Sequence, residues 1–131
     1  MASVRREIRI RRPAAEVWEV AGDPARLHEW FPGITACSVE GATRTITLNT
    51  GIQLPERIVT HDDVLRRFQY RITAPLFTEH QGTIDVHDLG DGTSLVVYST
   101  DAEPRTMALV VGGGTGGALE SLRRRLEGEA D

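Results

Sequence analysis

Residues 110–119 read "VVGGGTGGAL" and contain the pattern Gly112-x-Gly114-x-x-Gly117. The apolar run Met107 to Val111 precedes them and "ALESLRRRL" follows. This is the outline of a dinucleotide-binding turn, where glycines let backbone N–H groups approach a pyrophosphate at a helix N-terminus. The alternative makes the same residues the middle of a C-terminal helix. The nucleotide reading needs a second strand, with an acidic residue about 20 positions on. Only 14 residues follow Gly117, and they read as helix and tail. A phosphate loop of the Walker type would need a lysine, and the sequence has none. The helical reading carries a cost of its own. Each interior glycine is worse than alanine by about 0.8–1.0 kcal/mol, so the cluster costs about 4–5 kcal/mol. Such a helix kinks, gives way to a loop before a shorter helix, or is compensated by close packing on a sheet. If it lies over a pocket, the missing side chains leave room for a ligand.

The rest of the chain suits the helical reading. Residues 3–11 put Val4, Ile8 and Ile10 on one parity, as in a half-buried strand. Pro13 opens a helix, "PAAEVWEVAG", whose stripe is Ala14, Val17, Trp18 and Ala21. Asp23-Pro24 reads as an N-cap and first-turn proline of a second short helix that ends at Pro32-Gly33. Strands are then expected near 34–40, 43–49, 52–60, 65–73, 79–87 and 93–101, joined by short links that imply antiparallel hairpins. From about Pro104 the period becomes helical, through Val111, Thr115, Leu119, Leu122 and Leu126, with Gly128 as the cap. This is an α+β order in which a curved antiparallel sheet buries one face against the last helix.

Composition narrows the function. The 131 residues are expected to form one domain, 1–131, without repeats or linkers. Every cation besides histidine is arginine, which excludes Schiff-base lysine chemistry. A net charge of −4 argues against nucleic acid as the partner, and the basic clusters 5–12 and 123–125 read as solvated faces. The single cysteine, Cys37, permits no internal disulfide. Cys37 with His28, His61 and His87 gives no convergent metal set, so neither metal nor other cofactor is expected. No run is long enough to span a bilayer and the N-terminus lacks a signal-like apolar segment, so a cytoplasmic location is expected.

Strand parity places a polar row on the concave face. A three-residue loop with Gly51 in the left-handed position pairs Leu48 with Ile52, Ile46 with Leu54 and Arg44 with Glu56. A hairpin centred on Asp63 would pair Ile58 with Phe68 and Glu56 with Tyr70. Extending these registers aligns Arg44, Glu56, Tyr70, Gly82 and Tyr98, with His80 one step away. Ile46, Ile58, Phe68, Ile84 and Val96 share that face. A bland reading makes Arg44–Glu56 a half-wetted ion pair at the sheet edge. The functional reading is an aliphatic pocket with a few convergent polar groups, the usual constitution of a small-molecule site. In that pocket Gly82 leaves space for the polar end of a ligand, and Val111 and Thr115 line it from the helix. Trp30 and Phe31 serve as mouth or core aromatics, and Trp18 as core.

The pieces "PAAEVWEVAGDPARLHEWFPGI", "GATRTITLNTG" followed by "PERIVTHDD", "RRFQYRI" and "DGTSLVVYS" resemble the SRPBCC superfamily, the START and polyketide cyclase/dehydrase group. The resemblance covers nearly the whole chain. It implies the helix-grip fold: a curved seven-stranded antiparallel sheet, two short helices after the first strand, and a long C-terminal helix over the concave face. It also implies a deep apolar pocket used for lipids, hormones or polyketides. The chain departs from many relatives in having Tyr98 in place of tryptophan, and in its glycine cluster. The leading expectation is a binding protein for a small hydrophobic or amphipathic molecule. The rivals are a cyclase or dehydratase, with Tyr, His80 or Glu56 as acid and base, and a regulatory module contacting a partner protein. Oligomeric state stays open, a homodimer included.

Overall fold

The computed structural model describes residues 1–129; residues 130 and 131, the end of the expected domain span, lie outside the described residues. The elements are β1 (Ala2–Ile10), α1 (Ala14–Ala21), a 3-10 helix (Pro24–Glu29), β2 (Ile34–Glu40), β3 (Thr43–Leu48), β4 (Gln53–Asp62), β5 (Arg67–Ile72), β6 (Glu79–Asp88), β7 (Ser94–Glu103) and α2 (Arg105–Leu126). All seven strands form one antiparallel sheet in the order β1-β7-β6-β5-β4-β3-β2. This is the α+β order read from the sequence, and it has the seven strands, two short helices after the first strand and long C-terminal helix that the resemblance implies.

Each helix follows its local signals. Pro13 caps α1 from an extended conformation, since its fixed φ suits the entry and its missing N–H is not needed there. Asp23 accepts from the Ala25 N–H at 2.9 Å, capping the segment that follows. That segment winds as a 3-10 helix, so the second short helix is not α-helical. In α2 the glycines do not break the helix, which runs unbroken from Arg105 to Leu126. Arginines 123–125 fill its last turn, where the macrodipole favours cations, and Gly128 follows at φ +76°.

Packing offsets part of the cost of the glycines. A Cβ at Gly112 would stand 2.5 Å from Val4 Cγ1, so this glycine lets α2 lie directly on β1. A Cβ at Gly116 would rest on the Arg6 stem at 3.7 Å, and one at Gly114 would face Phe31 at 3.6 Å. At Gly113 and Gly117 a Cβ would meet nothing. Farther along, Glu127 receives the Arg11 N–H at 2.8 Å and Arg12 Nε donates to the Leu126 carbonyl at 2.9 Å. Arg125 donates to Glu29 of the 3-10 helix at 3.0 Å. Ile10, Val17, Leu27, Trp30, Val96, Leu119 and Leu122 are the centre of the core. The Trp18 indole N–H donates to Asp63 at 2.8 Å, tying α1 to the β4–β5 hairpin.

Two registers bear on the site. Around Gly51, at φ +89°, Arg44 pairs with Glu56 and Ile46 with Leu54, as the three-residue loop requires. Ile52, expected on the buried face, is instead an exposed turn residue. The next hairpin departs from expectation. Its strand β4 continues to Asp62, so the loop falls at 63–66 and not at the expected 61–64, with Arg66 in the left-handed region at φ 54°. A bulge falls between Ile58 and Thr60. Glu56 therefore pairs with Ile72 and Ile58 with Tyr70, replacing the expected Glu56–Tyr70 and Ile58–Phe68 pairs.

Candidate functional site

Between α2, the loop after the 3-10 helix and strands β3 to β5 lies a cavity of about 340 Å³. Leu27, Phe31, Pro32 and Ile34 line one side. Ile46, Leu48 and Ile72 line the sheet side, and Val110, Val111 and Gly114 form the α2 side. Its polar groups are Asn49 near the β3–β4 turn and Glu56, Tyr70 and Tyr98. Position explains the access: Val110 is exposed on the first half of α2, while Tyr70 and Tyr98 are buried on the sheet.

Glu56 and Arg44 are 2 % and 1 % exposed, so they form a buried pair and not a half-wetted edge pair. Arg44 Nε donates to Glu56 Oε1 at 2.7 Å, and Nη1 donates to the Pro24 carbonyl at 3.4 Å. The guanidinium also lies over the rings of Phe68 and Tyr70, 5.1 and 4.8 Å from their centroids. Burial disfavours its charge, but Glu56 together with the Tyr70 and Tyr98 oxygens outweighs that, and the Arg44 pKa is raised. Burial pushes the Glu56 pKa up against the pull of Arg44. A guanidinium is always protonated, so at neutral pH the carboxylate stays ionised as its counter-charge.

Gly82 does not open ligand space. Tyr70 sits directly across from it, and the Tyr70 ring covers the bare backbone. Its hydroxyl reaches the Tyr98 hydroxyl at 2.5 Å. Tyr98 itself pairs with Ile84, and Gly82 with Thr100, so the polar groups run diagonally and not along one register row. Burial raises both tyrosine pKa values well above the ordinary range, so both hydroxyls are protonated at neutral pH.

Of the residues expected to line a pocket, Ile46, Glu56, Tyr70, Tyr98 and Val111 do so. Arg44 stands behind Glu56. Of the two aromatics read as mouth or core, Trp30 is core and does not line the cavity, stacked edge-on to Tyr98 at 6.2 Å, and Phe31 lines it. Ile58, Phe68, Ile84 and Val96 pack in or against the core, because the bulge and the Tyr70 ring close off that end. Thr115 is buried, and its hydroxyl donates to the Gly112 carbonyl at 2.8 Å. His80 opens instead on a separate surface depression with Arg57, Arg71 and Phe77. Its Nδ1 accepts the Ile72 N–H at 3.0 Å, and burial lowers its pKa to about 4. Sequence reasoning missed Gly33, Ile34 and Val110 as lining residues; their one legible signal was that apolar residues flank Pro32-Gly33 and the glycine cluster.

The sequence model of the family described as polyketide cyclase/dehydrase and lipid transport matches residues 1–127. Among solved structures, the protein XoxI from Bacillus cereus is 24% identical with a TM-score of 0.89, over 95% of both chains. A START superfamily protein from Mycobacterium smegmatis is 14% identical with a TM-score of 0.80, over 95% of this chain and 97% of that one. The di-domain ARO/CYC protein BexL of the BE-7585A biosynthetic pathway is 19% identical with a TM-score of 0.82, over 97% of this chain and 47% of that one. No curated protein matches. No helix of the described residues is long and apolar enough to cross a membrane.

Proposed function

The chain belongs to the polyketide cyclase/dehydrase and lipid-transport family, the SRPBCC or START-like group, and from that premise we propose that it binds one small, mostly apolar molecule in the cavity beneath α2. The observation that carries this reading is the composition of the lining: aliphatic and aromatic side chains on three sides, and a buried Glu56–Tyr70–Tyr98 cluster. Removal of the ligand's apolar surface from water supplies most of the affinity, at about 25 cal/mol per Å².

A binding role is favoured over a catalytic one by the state of the polar groups. A general acid or base works best with a pKa near the operating pH. The tyrosines are held far above it, and the Glu56 carboxylate is neutralised by Arg44. His80, the group with the right intrinsic chemistry, accepts a backbone N–H outside the cavity.

The test uses a small neutral fluorophore, N-phenyl-1-naphthylamine, and the variant Gly114→Leu. Position 114 lines the cavity and has ordinary contact distances for a Cβ, so leucine there fills space without breaking the fold. Wild type is expected to bind one equivalent with a rise in emission. Gly114→Leu is expected to remain folded and lose that binding. Undiminished binding by the variant would place the ligand elsewhere.

A further inference from the structure

The geometry points to a ligand whose buried end is a neutral hydroxyl, an alcohol or phenol, and not a carboxylate. This rests on the proposed cavity binding and concerns the head group alone. Glu56 Oε1 is engaged by Arg44 Nε, while among the described residues no donor reaches Oε2 of this lining side chain. The carboxylate thus offers the occupant one strong acceptor. Tyr70 and Tyr98 hold two hydroxyl protons between them and share one hydrogen bond. One proton therefore lies between their oxygens and the other has no acceptor among the described residues. The same floor offers one donor.

Only some chemistries answer both. A hydroxyl donates to Glu56 and accepts from tyrosine on a single atom. A carboxylate has no proton for Glu56 and would set its own charge beside that carboxylate, while the balancing Arg44 stands outside the lining and cannot receive it directly. An ammonium has protons but no lone pair for the tyrosine. A hydrocarbon leaves both groups unpaired, at a cost of the kind that buried unsatisfied groups incur. Beyond the head group the lining Leu48, Val110 and Val111 ask only for apolar bulk.

The experiment titrates the protein at neutral pH with 2-naphthol, 2-methylnaphthalene and 2-naphthoate, followed by amide NMR shifts. A hydrogen bond to a charged group predicts 2-naphthol binding about tenfold to a hundredfold tighter than 2-methylnaphthalene, with 2-naphthoate weakest. Glu56→Gln replaces the acceptor by an amide that can donate, so 2-naphthol should weaken and 2-naphthoate gain. Equal binding of 2-naphthol and 2-methylnaphthalene by wild type, or tightest binding of 2-naphthoate, overturns the hydroxyl assignment and leaves cavity binding standing. Failure of all three to bind the folded protein overturns both. The wild-type comparison decides the matter even if Glu56→Gln does not fold.

Discussion

The aromatic ring of Tyr70 occupies the volume that a side chain at position 82 would need. A Cβ placed on Gly82 would lie 2.6 Å from Tyr70 Cε1 and 2.7 Å from its hydroxyl oxygen. The ring is pinned from the other side by the Arg44 guanidinium and at its tip by Tyr98. Gly82→Ala should therefore destabilise the fold by about 1–3 kcal/mol, the usual range for overpacking. In a Tyr70→Leu background the same change should cost much less. Urea midpoints of the four proteins form the double-mutant cycle that measures this coupling; additive effects would refute the steric account.

The glycines of α2 should divide by what lies opposite them. Gly113→Ala and Gly117→Ala meet open space and should each stabilise by about 0.5–1 kcal/mol, through helix propensity and a less flexible unfolded chain. Gly112→Ala collides with Val4 and should destabilise, with partial recovery when combined with Val4→Ala. Thermal unfolding of the series checks the order of the midpoints.

Removing one member of the buried ion pair should be worse than removing both. Arg44→Met leaves an uncompensated carboxyl and Glu56→Leu an uncompensated guanidinium, each expected to cost about 3–5 kcal/mol. The double variant Arg44→Met/Glu56→Leu should recover most of that loss. Equal destabilisation by the double and single variants in chemical denaturation would contradict this.

Stability should fall on mild acidification through His80. Its folded pKa of about 4 lies below the ordinary value of 6.5, because burial disfavours the imidazolium and Asp101 only partly counteracts this. A depressed pKa means the unfolded chain binds the proton more readily. The stabilisation is therefore complete above about pH 6.5 and disappears as the pH drops through about 4, a loss of about 3 kcal/mol. Urea midpoints of wild type and His80→Gln across this window should converge as the pH is lowered.

The sequence carried the architecture because its turn chemistry is explicit. Gly51 after Asn49-Thr50 fixes the β3–β4 register, and with it the Arg44–Glu56 pair. The β4–β5 hairpin hides its geometry. Arg66 occupies a left-handed conformation that glycine or asparagine would have advertised, and the bulge beside Val59 has no marker in "RIVTHDDVLRRF". That slip moved Tyr70 opposite Ile58, whereas Tyr70 does face Gly82 as expected and its ring fills the space there. Parity could say which side chains turn inward, but not which are sealed beneath others. Phe31 and Val110 reach the cavity through packing between distant segments, which no local pattern records.

Strand β1 pairs along its whole length with β7, and α2 seals that junction by resting Gly112 on Val4. During synthesis the first strand leaves the ribosome long before its hydrogen-bonding neighbour does. Until then its exposed edge has no lasting mate, and closure must wait for contacts of large sequence separation, the kind that slows folding and invites aggregation. Yield should therefore depend on translation speed and chaperone access, through where the first strand is stitched.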